Sequence, residues 1–168
     1  PFLDGNGRVG RLLITLFLME KKVMTTPALY ISYYLKKNRV EYYDRMAEVR
    51  KKGNYEQWIR FFLSAIYESA EDAMQTIDEL VDLHNRNIET VKNIGRASKN
   101  TMSVFQCLET TPIIAIGKTA EKLELSFNTV SAAVNRLIDV GILEQTENAS
   151  RNRTFAYTEY IDILRKGT

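Results

Sequence analysis

The chain has 168 residues, of which 45% are hydrophobic and 26% are charged. This mix is typical of a globular protein, so a disordered or fibrous chain is excluded. The net charge is +2, with fourteen basic and thirteen acidic side chains in residues 1–95 and nine and eight in residues 96–168. Neither half has the basic excess of a strong nucleic-acid binder.

The cysteine content and the longest apolar run indicate the cellular compartment of the protein. The single cysteine, Cys107, cannot form an internal disulfide, and disulfides belong mainly to oxidising compartments. The apolar run at residues 12–19 is too short to cross a bilayer, which takes about 20 apolar residues in a helix. We therefore expect a cytoplasmic protein that does not enter a membrane.

Four turn-forming residues, Asp4, Gly5, Asn6 and Gly7, stand shortly before this apolar run. Glycine accepts a positive φ, and Asn and Asp bond to their own backbone, so the cluster predicts a tight loop. No helix breaker follows until Pro27. A glycine-rich loop that enters a helix leaves backbone N–H groups at the positive end of the helix dipole, an arrangement that favours phosphate binding.

The charged residues of this loop favour a phosphate ligand that carries a metal ion. Arg8 and Arg11 share one face of the first helical turn, and a planar guanidinium suits phosphate oxygens. Asp4 would repel phosphate unless a cation stood between them, and Mg²⁺ takes one carboxylate together with phosphate oxygens. The alternative is an ordinary turn with two solvated arginines. A calcium loop is excluded, because Val9 and Thr15 stand where it needs glycine and glutamate.

Residues 1–11 read Pro-Phe-Leu-Asp-Gly-Asn-Gly-Arg-Val-Gly-Arg. They resemble the signature of the Fic (filamentation-induced-by-cAMP) family, His-Pro-Phe-x-Asp/Glu-Gly-Asn-Gly-Arg-x-x-Arg, at every defined position after the histidine. The resemblance implies a helical domain that transfers AMP from ATP, with Mg²⁺, to a hydroxyl side chain of a target protein. The histidine, the general base of that family, would directly precede Pro1. We therefore expect no catalytic residue in this chain and negligible transfer by the chain alone.

The resemblance also implies roles for the matching residues. Asp4 would bind Mg²⁺ at the α and β phosphates, and Phe2 would be buried and anchor the loop. The residues that would hold the phosphates are Gly5, Asn6, Gly7, Arg8 and Arg11. A tyrosine pair lines the adenine pocket in some Fic proteins, and Tyr42 and Tyr43 lie at a similar place. Ring packing is the alternative for both tyrosines.

Residues 12–18 are almost all apolar. A helix without a polar face belongs at the centre of a bundle, but few elements precede this one in the chain. We therefore expect a fragment of a Fic domain whose earlier helices, including the one that ends in the histidine, are missing. The uncovered surface is expected to drive self-association.

Capping signals predict two short helices after this one. Thr26 is an N-cap followed by Pro27 at the first helical position, which predicts a helix as far as residue 37. Asn38 and Glu41 have the spacing of a capping box, which predicts a second helix as far as residue 52.

Asn54 is then expected to cap a helix of close to forty residues, whose far end links two domains. An apolar stripe at three- and four-residue steps is expected to be its buried face. The stripe consists of Trp58, Phe62, Ile66, Ala70, Ala73, Ile77, Leu80 and Val81. His84, the single histidine, is expected to be solvated or to cap a helix, since no nucleophile or metal ligand lies near it in sequence.

From residue 98 the pattern changes to short helices separated by turns. Helices are expected around residues 104–108, over 116–123 and after Ser126, which is an N-cap; Gly141 ends the third. Residues 142–145 and 153–157 predict two facing strands around a polar tip at 147–152. Three helices followed by a hairpin resemble the winged helix-turn-helix of bacterial regulators.

That resemblance implies a DNA-binding face on the third helix and the hairpin. The residues that would face a major groove are Asn128, Thr129, Ser131, Ala132 and Asn135, and those near phosphates are Arg136, Arg151 and Arg153. The face holds few cations, although phosphate contacts supply much of the affinity for DNA. The alternative is therefore a protein-interaction platform of the same shape.

These observations predict a mainly α protein, with a truncated Fic helical bundle in residues 1–95 and a small α/β winged helix-turn-helix domain in residues 96–168. The leading hypothesis is part of a Fic-type nucleotidyltransferase that uses ATP and Mg²⁺ for AMPylation. The alternative is a DNA-binding transcriptional regulator whose Fic part serves dimerisation or sensing. The expected partners are an unidentified target protein, DNA through the winged helix, and a second copy of the chain.

Overall fold

A computed structural model describes residues 3–95, 98–147 and 153–166. The contacts divide the chain into two compact units, one up to Thr76 and one over Ile77–Lys166. The division falls inside the long helix Tyr55–Lys92 (α4). Leu83 and Val91, in the last turns of this helix, belong to the core of the second unit. The units therefore divide earlier in the chain than residue 95, where the sequence placed its domain boundary.

The first unit contains the helices Asn6–Glu20 (α1), Ile31–Lys37 (α2) and Arg39–Lys52 (α3), and the first turns of α4. Its core is small. Ile31 and Leu35 of α2 are buried against Phe61 and Ala65 of α4. The partly buried residues that pack on these four are Ile14, Tyr34, Tyr42, Trp58, Phe62 and Ile66.

The apolar helix α1 leaves its surface uncovered by the described residues. Every side chain of α1 is at least partly exposed, and four large apolar ones are about half exposed or more: Leu12, Leu13, Leu16 and Phe17. An amphipathic helix would turn such residues inward. The exposed surface expected from the sequence is therefore present.

One predicted helix start is wrong, and one predicted helix cap does not form. The second helix begins at Ile31 rather than at Pro27, because the Ala28 N–H donates to the Thr26 carbonyl in a tight turn (2.8 Å). The third begins at Arg39 as expected, but the capping box does not form. Asn38 instead donates its Nδ2 to the Tyr34 carbonyl (3.1 Å), and so satisfies the end of the preceding helix.

The long helix α4 has 38 residues, close to the predicted length. Its buried face is displaced from the predicted stripe. The buried positions follow four-residue steps in both units and are Phe61, Ala65, Ser69, Leu83, Asn87 and Val91. Most of the predicted residues flank this line and are half-buried, whereas Ile77 and Val81 are half exposed, so their prediction as buried residues is wrong.

The second unit contains Ser98–Thr110 (α5), Ile113–Ala115 (β1), Ile116–Leu123 (α6), Phe127–Asp139 (α7), Glu144–Gln145 (β2), Thr154–Ala156 (β3) and Thr158–Arg165 (α8), after the last turns of α4. The three strands form an antiparallel sheet in the order β1-β3-β2. Phe155, on the central strand, pairs with Ile114 on one side and Gln145 on the other.

The core of this unit is larger than that of the first. Most of its fully buried members come from α5 and α7, with others from α4 and the sheet, and they include Phe105, Leu108, Val130, Leu137 and Phe155. α7 packs against both α5 and α6. The mainly helical prediction with a small β component is therefore confirmed for the described residues.

The sequence patterns did not predict two elements of this unit, and they predicted a third element that is too long. β1 and α8 were not predicted, and the first strand of the hairpin covers residues 144 and 145 alone. Ile142 and Leu143 donate their N–H groups to the Leu137 carbonyl (2.8 and 3.2 Å). These two residues therefore close the end of α7 rather than extend the strand. Among the described residues, no helix has the length and apolarity that a membrane crossing requires.

Candidate functional site

The junction of the loop with α1 is built on Gly5. Its φ of 83° lies in the left-handed region, where a Cβ is strained, and the helix begins at the next residue. The Gly5 carbonyl accepts the N–H groups of Arg8 (3.0 Å) and Val9 (3.1 Å). Asn6 and Gly7 therefore lie in the first turn of α1 rather than in the loop, at the positive end of the helix dipole.

Both predicted arginines fold back over glycines. A Cβ added to Gly7 would lie 3.3 Å from Nη1 of Arg11, and one added to Gly5 would lie 3.5 Å from Nη2 of Arg8. A side chain at position 7 would therefore crowd the guanidinium. The two glycines allow the cations to approach the backbone at the helix start.

Asp4 lies on the same side of the junction. Its Oδ1 accepts the Gly5 N–H at 2.6 Å, and its Oδ2 lies 3.9 Å from Nη2 of Arg8. The Asp4 side chain is 99% exposed, so the carboxylate is open to a ligand from solvent. Asp4 and Arg8 therefore lie close together at the junction.

The donors present here fit an anion such as the phosphate tail of a nucleotide. The first-turn N–H groups of a helix have no acceptor within the helix, and the dipole favours negative charge at this end. Arg8 and Arg11 add guanidinium forks that suit phosphate geometry.

A divalent metal fits this site only together with phosphate oxygens. Within the described ranges, no group of three or more His, Cys, Asp and Glu side chains could hold a metal ion. Mg²⁺, however, is commonly bound by one or two carboxylates together with substrate phosphates and water. Asp4 supplies one such carboxylate, which matches a metal that arrives with a nucleotide.

The two tyrosines proposed for the adenine pocket differ in their surroundings. The ring of Tyr42 packs on Trp58 (5.7 Å between centroids) and Phe61 (6.5 Å) at the edge of the first core. Tyr43 is 55% exposed, and the Arg39 guanidinium lies 5.7 Å from its ring centroid. Ring packing, the alternative for both, describes both tyrosines, because the Tyr43 ring also packs edge to face on that of Tyr42 (5.3 Å between centroids).

The predicted DNA-binding face lies on α7. Ser126 caps this helix as predicted, because its Oγ accepts the Thr129 N–H at 3.1 Å. Asn128 and Asn135 are exposed, whereas the other predicted residues of the helix are half-buried. These half-buried residues are Thr129, Ser131, Ala132 and Arg136.

The hairpin contributes one described cation to this region. Arg153 is exposed, and its guanidinium lies 5.7 Å from the ring centroid of Phe155. Arg151, and at the other end of the chain Phe2, lie outside the described residues. The sequence of the whole unit, residues 77–166, holds eleven basic and twelve acidic side chains. Any attraction to DNA must therefore come from the local arrangement of charges rather than from net charge.

His84 has a structural partner that its sequence neighbours did not indicate. Its Nδ1 pairs with the Glu109 carboxylate of α5, and its ring lies 6.2 Å from that of Phe105. The imidazole therefore links α4 to α5 within the second unit. Glu109 is 25 residues away in the chain, which is why spacing alone gave no signal.

A comparison of the chain with models of known protein families finds no match. The resemblance of residues 1–11 to the Fic signature is therefore not accompanied by a match to a family model.

Proposed function

We propose that residues 1–95 belong to a Fic-type AMP transferase and that the start of α1 holds the phosphates of its ATP. The observation that carries this proposal is the position of Arg8 and Arg11, folded over Gly5 and Gly7 beside the carboxylate of Asp4. An ordinary turn requires neither two glycines beneath two arginines nor an acid next to them. A site for Mg²⁺ and a polyphosphate uses all of these features.

Each residue at the junction has a separate task in this proposal. Asp4 holds Mg²⁺, which offsets the charge of the α and β phosphates. The backbone of Gly5, Asn6 and Gly7 lies against the phosphates: the N–H groups of Asn6 and Gly7 donate to phosphate oxygens, with the Asn6 amide adding a bond, and the Gly5 N–H holds Asp4 in place. Arg8 and Arg11 bind the outer phosphates, and so stabilise the negative charge that grows on the leaving pyrophosphate.

In the proposed reaction, the hydroxyl oxygen of the target protein forms a bond to the α phosphorus of ATP. The bond from that phosphorus to the bridging oxygen breaks, and pyrophosphate leaves. The hydroxyl proton passes to the general base, which the Fic signature places directly before Pro1. General-base assistance is worth roughly 10²–10⁴-fold, so the 168 residues alone should transfer AMP at a negligible rate.

A labelling experiment tests this proposal on the protein with its upstream sequence included. Incubated with α-labelled ATP, Mg²⁺ and a cell extract, it should transfer label to a protein. Asp4→Ala should lower the transfer by at least about 100-fold, because the metal supplies several kcal/mol of charge stabilisation. Arg136→Ala is the matched control and should leave labelling unchanged. An absence of labelling, or equal labelling with Asp4→Ala, would overturn the proposal.

A second candidate function is DNA binding by residues 96–168 as a winged helix-turn-helix. Three observations favour it: the order α5, α6, α7 followed by a hairpin, the Ser126 cap, and the exposure of Asn128 and Asn135 on the third helix. In this proposal Asn128, Ser131 and Asn135 contact base edges, and Arg136, Arg151 and Arg153 contact phosphates.

Fluorescence anisotropy with labelled duplex DNA at low salt tests the second candidate. Binding should be tighter than about 10 µM, and Arg136→Ala should weaken it on every sequence, with the salt slope reduced by about one. Asp4→Ala should bind DNA like the parent chain. If no binding appears below that concentration, the module does not read DNA as a monomer and the platform alternative gains support. Both functions are compatible in one protein.

A further inference from the structure

The first turns of α4 carry a second apolar stripe in addition to their buried face. Ile59, Leu63, Tyr67 and Met74 are between 52% and 67% exposed. The small residue Ala70 lies between the last two. The steps along the stripe are four, four, three and four residues. Successive residues of an α-helix are about 100° apart, so Leu63 lies about 160° around the helix from the buried Ala65.

The spacing of the stripe is that of a helix that pairs with another helix. Apolar residues that recur at three- and four-residue steps line one side of a helix and form the seam between paired helices, with charged residues along its edges. We propose that this α4 stripe pairs with the α4 stripe of a second copy of the chain, with the two helices antiparallel.

The charges along the stripe set the direction of pairing. Arg60 and Glu71 follow the same edge of the stripe, about 20° apart around the helix. With Ile59 opposite Met74 of the second copy, and Leu63 opposite Ala70, Arg60 lies across from Glu71. Two-fold symmetry repeats this ion pair at the other end of the seam.

A parallel pairing in register would instead place identical residues at the same level. Arg60 would then lie level with Arg60, and Glu71 with Glu71, and like charges at close range are destabilising. In the single chain Arg60 bonds Glu56 at 2.8 Å, and Glu71 accepts the Tyr67 hydroxyl at 2.6 Å. Both side chains are exposed, so they are accessible to a partner.

The length of the stripe limits the affinity of the pair. From Ile59 to Met74 it spans about 23 Å at 1.5 Å per residue. A seam of this length lies at the small end of specific interfaces, which bury about 1,200 Å² or more when stable. The dissociation constant of the dimer should therefore lie in the micromolar range.

Sedimentation of the 168-residue chain over a range of concentrations measures this association. Leu63→Glu should raise the dissociation constant at least about tenfold, because it places a charge in the seam. Leu13→Glu tests the competing surface on α1, which was expected from the sequence to drive self-association; Leu13 is equally apolar and similarly exposed, and its replacement should leave the constant unchanged if the α4 stripe is the seam. A chain that is monomeric throughout, or one whose association is lost with Leu13→Glu and kept with Leu63→Glu, would overturn the proposal.

A charge exchange tests the antiparallel register itself. Arg60→Glu and Glu71→Arg should each raise the dissociation constant about threefold or more, as expected for an edge ion pair. The double variant should restore it to within about twofold of the parent, because the two charges are then exchanged across the seam. If the double variant is weaker than either single one, the register is wrong. Circular dichroism of each variant should show unchanged helix content.

Discussion

At the scale of single residues, Gly5 is the position on which the loop–helix junction depends most. Its φ of 83° is strained for any residue with a Cβ, whereas Gly10, inside α1, has open space around it. Gly5→Ala should therefore lower the free energy of unfolding by about 1–2 kcal/mol. Gly10→Ala should raise it by up to about 1 kcal/mol, because alanine favours the helix. Urea unfolding of both variants measures the difference, and equal effects would contradict the assigned backbone conformation.

Tyr157 is the residue with the clearest effect of pH on stability. Its hydroxyl accepts a hydrogen bond from Nδ2 of the buried Asn87 at 2.6 Å, and burial raises its pKa from 10 to about 12. A raised pKa in the folded state means that folding favours the neutral phenol. The associated stability is complete below pH 10 and is lost as the pH rises through 12.

Tyr157→Phe should remove this contribution. At pH 8 the variant should lose about 2 kcal/mol of unfolding free energy, because the buried Asn87 amide is left without its acceptor. Between pH 8 and pH 11 it should lose less stability than the parent chain. Tyr160→Phe is the control, since its hydroxyl is only half-buried and donates to the Glu109 carbonyl at 3.2 Å. An identical pH dependence in Tyr157→Phe and the parent chain would contradict the assignment.

At the scale of elements, α7 and α3 differ in how they begin. Ser126 accepts the Thr129 N–H and so caps α7, whereas Asn38 gives α3 no side-chain cap. Ser126→Ala should destabilise the chain by about 1 kcal/mol, and Ser126→Asp should retain most of the stability, because aspartate also caps. Thermal unfolding measures both changes. A loss in Ser126→Asp as large as in Ser126→Ala would indicate that the hydroxyl does not act as a cap.

The helices of this chain were largely predictable because local signals define their ends. Gly53 has a φ of 65° and Gly141 one of 75°, so each ends a helix in a conformation that glycine favours. Ser126 marks the start of α7 in the same local way. The end of α3 and both ends of α7 follow from such signals, whereas α6 has no side-chain cap at its start and is followed at its end by Glu124, a non-glycine residue with a φ of 54°.

The elements that were missed depend on contacts between distant residues. β1 has three residues and exists through its pairing with β3, about forty residues later. The buried face of α4 was displaced because the half-exposed Ile77 and Val81 look as apolar in sequence as the buried Leu83. The pair of His84 and Glu109 likewise joins two separate helices. At the loop, by contrast, all the residues are neighbours in sequence, so the turn at Gly5 was predictable, although Asn6 and Gly7 lie in the first turn of the helix rather than in the loop.

At the scale of the whole molecule, the two units have cores of very different size. Among the described residues, seventeen buried ones form the core of the second unit and four form that of the first. Because stability scales with the apolar area that is buried, the second unit should unfold at a higher urea concentration. Hydrogen exchange should likewise be slowest in α5 and α7 and faster in α2 and α3.

Two core substitutions should show by hydrogen exchange that each unit can be destabilised without the other. Leu137→Ala, at a fully buried site of α7, should cost about 3 kcal/mol and speed exchange in α5 and α7. Exchange in α2 and α3 should stay within about twofold of the parent rate. Phe61→Ala should instead speed exchange in α2 and α3 and leave exchange in α5 and α7 within about twofold of the parent rate. A uniform increase of exchange over the whole chain in both variants would contradict two separate cores.

The most direct test of the proposed nucleotide site is an amide NMR titration of the chain with ATP and Mg²⁺. The largest shift changes should occur at Gly5, Asn6 and Gly7, and they should disappear in Arg11→Ala while the rest of the spectrum is preserved. If these amides do not move at about 5 mM nucleotide, or if the same changes persist in Arg11→Ala, the start of α1 is not a phosphate site.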